Sequence, residues 1–200
     1  MAAIKVNPTR MELKRLKGQL ATARRGHKLL KDKCDELMRR FLDAVREAKE
    51  LREKLSLTLG DVDGRFSIAA AQTDPRMMTA ALMLPAGGGE LSVGEENIMS
   101  VIVPRYDFSY DKGKSASPYG FAFTTSALDL ATDELTDVLP GLVHLAQLEK
   151  TSLLLCDEIE RTRRRVNALE YIMIPQYEVQ IKQISMMLVE NERGNLSRLM

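Results

Sequence analysis

Apolar residues recur at alternating three- and four-residue steps along two long stretches, one toward each end of the chain. The first passes through Leu13, Leu16, Leu20, Ala23, His27, Leu30, Cys34, Leu37, Phe41, Ala44, Ala48, Leu51 and Leu55. The second passes through Leu145, Leu148, Ser152, Leu155, Ile159, Thr162, Val166, Leu169 and Met173, then slips by one residue to Ile174, Tyr177, Ile181, Ile184 and Leu188. This rhythm keeps one seam on one side of a helix and favours left-handed supercoiling. Each seam runs for about 43 residues, or roughly 65 Å of helix at 1.5 Å per residue. The matching lengths favour one antiparallel pair, in which partner numbers sum to about 200, over two coiled coils that each dimerise with a copy. The fold class expected is mainly α: a long antiparallel two-helix coiled coil of the terminal helices, with a small helical and β-hairpin globular end from the middle of the chain.

The breaks in the pattern set the boundaries. Asn7-Pro8-Thr9 opens the first helix, with Asn7 as the expected cap and Pro8 at the first helical position. Asp74-Pro75 ends it, and Arg76–Leu84 forms a short helix that Pro85 stops. Pro85-Ala86-Gly87-Gly88-Gly89 reads as a joint. Strand character is concentrated in 97–110, where Ile98, Val101, Ile102 and Val103 precede alternating Tyr106, Phe108 and Tyr110, with Pro104 confining the strand to an edge. Its expected hairpin partner is 117–123. Thr125 or Ser126 caps the next helix, Pro140-Gly141 interrupts or kinks it, and Pro175 should bend the second long helix where the seam slips. The expected divisions are residues 1–75, an N-terminal coiled-coil helix; 76–125, a globular end; and 126–200, a C-terminal coiled-coil helix.

Composition narrows the class. Of 200 residues, 44% are hydrophobic and 28% charged, which argues against disorder. Trp is absent and aromatics are 5%, while Met reaches 11, a balance suited to helix-on-helix packing. No apolar run approaches the roughly 18 residues needed to cross a bilayer, and MAAIKVNPTR has no apolar h-region, so neither a membrane span nor a secretory signal is expected. Cys34 and Cys156 read as reduced thiols of a cytosolic protein; the antiparallel register leaves them about ten residues apart, roughly 15 Å along the pair and beyond disulfide reach.

Catalytic chemistry is nearly missing. There are two histidines: His27 lies on the seam as a polar position that fixes register, and His144 reads as an isolated surface residue. There is no HExxH, CxxC or GxSxG. Lys112-Gly113-Lys114-Ser115 resembles the tail of a phosphate loop, but Phe108 stands where the upstream glycine is required. No catalytic residue, cofactor or metal ligand is therefore expected.

Charge is more informative. The net charge is +1, yet residues 1–33 hold ten Lys or Arg against Glu12 and Asp32. Arg10, Lys17, Arg24 and Lys31 recur every seven residues beside the seam, with Lys14, Arg25 and Lys28 next to them. Such a face is a solvated helix surface, a contact for nucleic acid or anionic membrane, or a contact for an acidic protein surface. No aromatics interleave with it, so stacking on single strands is unsupported. Arg161, Arg163, Arg164 and Arg165 flank the second seam, and the register brings them near Lys33–Arg40 and sets Glu170 near Lys31. Leu29, Met38, Leu42 and Val45 form an apolar flank off the seam, suited to docking a separate protein.

Two ordered motifs carry a resemblance. Asn7-Pro8-Thr9, Leu13, Leu16-Lys17 and the run from Ala23 through Leu37, together with the distal run from Glu160 through Tyr171 (Arg163, Arg164, Arg165, Asn167, Glu170), Ile174-Pro175 and Glu190-Asn191-Glu192-Arg193, resemble the D-subunit family of V-type (A/V-type) ATPases. Asn97-Ile98-Met99 and Val103-Pro104 fit as well, so the resemblance covers essentially the whole chain. It implies a non-catalytic central-stalk rotor whose terminal helices pair inside the ring of A and B catalytic subunits, with the V-type ATPase F subunit at its side and its globular end in the C/d funnel subunit above the membrane rotor. It implies a cytoplasmic location peripheral to the membrane, with no direct membrane insertion and no nucleic acid. Nucleotide would bind A and B, and Arg10, Lys14, Lys17, Arg24, Arg25, Lys28 and Lys31 would face the ring. A γ-type shaft of F-type ATPases would need a Rossmann-like segment that the strand-poor middle cannot supply. A coiled-coil scaffold or nucleic-acid tether with no rotary role is the alternative outside this family.

Overall fold

The computed structural model describes residues 7–83, 88–110, 119 and 124–200. Helix α1 spans Arg10–Gln72, α2 Pro75–Leu82, α3 Ser126–Ala168 and α4 Ile174–Leu199; strands β1 (Gly89–Ile98) and β2 (Val101–Tyr110) form an antiparallel hairpin between α2 and α3. A π-helical turn, Leu169–Met173, joins α3 to α4. The architecture is mainly α with one small hairpin, as the periodicity implies. The chain divides into two compact units, Met1–Met38 with Asp157–Met200, and Arg39–Cys156.

In the first unit, α1 runs antiparallel to α3 and α4. The burial follows the seam: Leu16 and Leu37 are buried on one side, Ile159, Thr162, Val166 and Ile184 on the other. Leu13, Leu20, Ala23, His27, Leu30, Cys34, Leu169, Ile174, Tyr177, Ile181 and Leu188 are half-buried beside them. The cap is Thr9, not Asn7: its Oγ1 accepts from the Glu12 N–H at 3.2 Å, one turn into the helix.

The seam slip and Pro175 have one structural cause. A proline ring clashes with the carbonyl four residues back and offers no N–H. The π turn supplies one extra residue, and the Ile174 N–H bonds back five residues to the Leu169 carbonyl. Pro175 then falls within the first two positions of α4, where a missing N–H is harmless. The extra residue rotates Met173 out of the seam. It is exposed, and Ile174 resumes the half-buried row.

In the second unit, the middle of α1 runs antiparallel to α3. Val62, Val138, Leu148, Thr151 and Leu155 are buried, with Phe41, Ala44, Ala48, Leu51, Leu55, Leu145 and Ser152 half-buried. Pro140 does not interrupt α3, which stays helical from Ser126 to Ala168. The proline is itself exposed, while Val138 is buried and Leu139 and Leu142 half-buried next to it, so packing outweighs the roughly 3 kcal/mol that an internal proline costs. Gly141 permits close contact: a Cβ there would lie 2.9 Å from Leu55 Cδ2. Toward the α2 end, Ala69, Ala81 and Leu128 form a small core covered by Phe66, Met78, Tyr119 and Ala127. Asp74 Oδ1 caps α2 by accepting from the Arg76 N–H at 2.8 Å.

The hairpin differs from the expectation. The partner of the aromatic strand is the upstream Gly89–Ile98, paired from Ile98↔Val101 to Gly89↔Tyr110. A two-residue turn, Met99-Ser100, has φ 52° and 74°, the positive values of a type I′ turn, and Asn97 Oδ1 accepts from the Ser100 N–H at 2.8 Å. Neither turn residue is the usual Asn or Gly, and Glu90, Glu95 and Glu96 give β1 low strand propensity, so the turn carries no sequence signal and β1 only the short alternation Leu91-Ser92-Val93. Gly89, expected in a joint, opens β1 because the Phe108 ring occupies the space of its missing side chain (a Cβ there would lie 2.8 Å from Phe108). Most of 117–123, and all of the Lys112–Ser115 tetrapeptide, lie outside the described residues.

Candidate interaction surfaces

Two of the heptad-spaced basic residues reach across the helix pair while staying exposed. Arg10 Nη2 lies 2.5 Å from Glu192 Oε1, and Arg24 Nη2 lies 2.6 Å from Glu178 Oε1, each bridging α1 to α4. These are the flanking positions of a coiled-coil seam, where opposite charges set orientation and register. Arg25 is exposed and its Nε donates to the Ala21 carbonyl at 3.4 Å. Lys14, Lys17, Lys28 and Lys31 are exposed along α1. Within this unit, then, the group divides into residues that clasp the helix pair and lysines directed to solvent.

His27 is half-buried on the seam, its Nε2 3.3 Å from Glu170 Oε2, and Lys33 Nζ lies 3.5 Å from Glu158 Oε1. Glu170, expected near Lys31, thus meets His27 one turn away. It sits on the π turn, with Asn167 near the end of α3 before it and Pro175 in the first turn of α4 after it. Arg163, Arg165 and Asn167 are exposed on the last turns of α3, and Arg164 pairs with Glu160 on its own helix. Beside the π turn, a shallow groove of about 470 Å³ is lined by Arg15, Gly18, Ala23, Leu169, Met173 and Tyr177.

In the second unit the cross-helix pairs include Arg52–Glu149, His144–Glu47 at 3.4 Å and Arg65–Glu134 at 2.9 Å. His144 is exposed but not isolated. Tyr119 donates to Asp129 Oδ1 at 2.8 Å. Burial raises its phenol above the ordinary 10.0; the Thr132 hydroxyl opposes this and Asp129 adds to it.

The apolar flank is exposed in both units, at Leu29 and Met38 in the first and at Leu42 and Val45 in the second. The sequence pattern does not mark as surface Leu91, Val93 and Ile102 on the hairpin or Tyr171 and Ile172 on the π turn, all exposed. The alternation Leu91-Ser92-Val93 is the signal at the first pair, and it marks a strand. Among the described residues, no group of three His, Cys, Asp or Glu side chains is placed to hold a metal ion, and no helix is long and apolar enough to cross a membrane.

Residues 12–200 match the family described as the D subunit of ATP synthase. The chain is 56% identical over 202 residues to the V-type ATP synthase D subunit of Acetivibrio thermocellus, covering all of this chain and 91% of that protein. It is 49% identical over 200 residues to the V-type ATP synthase D subunit of Thermoanaerobacter sp. (strain X514), covering all of this chain and 96% of the relative. To that of Enterococcus faecalis it is 50% identical over 201 residues, covering all of this chain and 95% of the relative. Its paired helices, its register and these full-length matches lead to one conclusion: the chain belongs to the ATP synthase D-subunit family, with the V-type ATP synthase D subunits.

Proposed function

We propose that the chain is the non-catalytic central-stalk rotor of a rotary V-type ATPase or ATP synthase. In this reading it transmits torque between the nucleotide-hydrolysing ring of A and B subunits and the membrane ion-translocating rotor. The F subunit binds its side, the C/d funnel subunit receives its globular end, and the whole sits on the cytoplasmic face, peripheral to the membrane. The observation that carries the reading is the pairing of α1 with α3 and α4 in a register locked by cross-helix ion pairs. A shaft loaded in torsion needs helices that cannot slide past each other. Each exposed pair contributes no more than about 1 kcal/mol, but bridges repeated on one register penalise every slipped alternative.

The solvent-directed lysines of α1 are the contact with the surrounding ring. Lys14, Lys17 and Lys28 test this more cleanly than Arg10 or Arg24, whose reversal would also break the bridges to Glu192 and Glu178. The triple variant Lys14→Glu, Lys17→Glu, Lys28→Glu is assembled with A, B and F subunits, and ATP-driven rotation of a bead on the chain is followed. Loss of sustained rotation, with helicity unchanged, is expected. Intact assembly and wild-type torque would show that these lysines do not face the ring. A wild-type chain that stays fixed while the ring hydrolyses ATP would refute the rotor itself.

A further inference from the structure

The two edges of the hairpin differ. In a two-residue hairpin the residues flanking the turn exchange both backbone bonds, and the pattern then alternates along the ladder. From the Ile98↔Val101 pair, even-numbered residues of β1 bond inward to β2, and Leu91, Val93 and Glu95 turn their N–H and C=O groups outward. On β2 the outward positions include Pro104, which has no N–H to lose, and Tyr106, whose N–H donates to Gln147 Oε1 of α3 at 2.9 Å. On the β2 edge, then, one outward group is absent by chemistry and another is satisfied by α3. The sheet has two strands, so the edge of β1 is unpaired among the described residues.

Folded proteins usually blunt such an edge with charged side chains, proline or a bulge. β1 has no proline or bulge, and its ladder is continuous over ten residues; its charges are glutamates, which repel like-charged edges but leave the strand open to a basic one. Beside the edge, Leu91 (51% exposed), Val93 (63%) and Ile102 (58%) lie on one face of the hairpin. The charge on β1 is all of one sign. Glu90, Glu95 and Glu96 make no ion pair among the described residues, and the nearby cation, Arg105, is 3.5 Å from Asp107. A second copy paired antiparallel about Val93 would set Glu90 opposite Glu96 twice, and like charges directly opposed are destabilising. The acidic, apolar edge therefore calls for a partner of opposite charge.

We infer that the outer edge of β1 docks an edge strand of a different protein of the complex, one that alternates apolar residues against Leu91 and Val93 with lysine or arginine against Glu95. The partner adds a third strand, its backbone meeting the free groups of Leu91, Val93 and Glu95. This rests on the reading that the chain works inside a multisubunit complex.

Residue-resolved hydrogen exchange on the free full-length chain and on the purified assembled complex tests it. The Leu91, Val93 and Glu95 amides should exchange at least about 100-fold more slowly in the complex, while Ser92 and Gly94, already bonded to β2, change far less. Outward amides that exchange equally fast in both states would overturn the inference and leave the proposed function standing. Protection already present in the free chain would also overturn it, because another segment of the chain itself would then fill the edge. A chain that enters no complex counts against both. A second measurement uses Val93→Pro, which removes an outward N–H and spares the β1–β2 ladder. One partner protein should dissociate at least about tenfold more readily from this variant's complex. Full retention of every partner at wild-type affinity would overturn the inference.

Discussion

In the unit made of Met1–Met38 and Asp157–Met200, buried side chains are thinly spread along a two-helix seam, and charged pairs cross it at Arg10–Glu192, Arg24–Glu178, His27–Glu170 and Lys33–Glu158. In the unit Arg39–Cys156, three helices and a hairpin surround further buried positions, among them Leu128, Ala69 and Val103. Two helices alone enclose few positions completely: Leu37 and Thr162 are sealed, but most seam residues, such as Leu13, Leu20, Leu30 and Ile181, keep an edge near water. Their specificity has to come from register: the stepwise apolar row, the flanking charges and the π turn. Where a third element covers the seam, small residues such as Ala69, Ala81 and Ala131 can be fully enclosed and packing takes over.

This contrast predicts different penalties for the same truncation. Leu37 and Leu128 are both 0% exposed. Leu128→Ala should cost about 3–5 kcal/mol, since its neighbours cannot close the cavity, whereas Leu37→Ala should cost about 2–3 kcal/mol because a two-helix seam can relax. Urea unfolding of the two variants measures the difference, and equal penalties would remove the distinction between seam and core.

The π turn gives the next test. Deleting Met173 brings Leu169 and Ile174 to the regular four-residue spacing but forces Pro175 into an ordinary α-helical turn, at a cost of about 3 kcal/mol. Deleting Met173 and replacing Pro175→Ala together should restore wild-type stability or better, because the apolar row then continues unbroken. If the double variant is as damaged as the single deletion, the inserted residue has a role beyond accommodating the proline.

Glycines sharpen the comparison at smaller scale. A Cβ at Gly26 meets nothing within 4 Å, so Gly26→Ala should stabilise α1 by about 1 kcal/mol through helix propensity. At Gly141 the new methyl would lie 2.9 Å from Leu55 Cδ2. Gly141→Ala should therefore gain clearly less, since the Leu55 side chain must move. Thermal midpoints of the two variants provide the measurement.

The smallest effect is one of pH. Tyr119 ionises at a higher pH in the folded chain than in the unfolded one, chiefly because it is buried. Its contribution to stability is complete below the unfolded value of about 10 and is lost as pH rises through the raised folded value. Tyr119→Phe should flatten that alkaline decline; an unchanged slope between about pH 9 and 11 would mean the hydroxyl carries none of it.

The seam was legible because its cause is local. A helix repeats every 3.6 residues, so the row from Leu13 to Leu55 could be read without knowing what lay opposite. The slip at Met173–Ile174 was visible for the same reason, though only the backbone could show it as a π turn. The surfaces were less legible. Arg10 and Lys17 occupy equivalent heptad positions, and what separates them is the residue facing each across the pair. Arg10 meets Glu192, a contact set by a residue 182 positions away.

The amino-acid order alone determined that this chain builds paired amphipathic helices, where they stop and which side of each is apolar, since these depend on neighbours within a turn or two. Tertiary structure decided which strand completes the hairpin, which cations are spent on bridges and which edge stays open. Those outcomes depend on what approaches from elsewhere in the chain, and a one-dimensional pattern does not encode that approach.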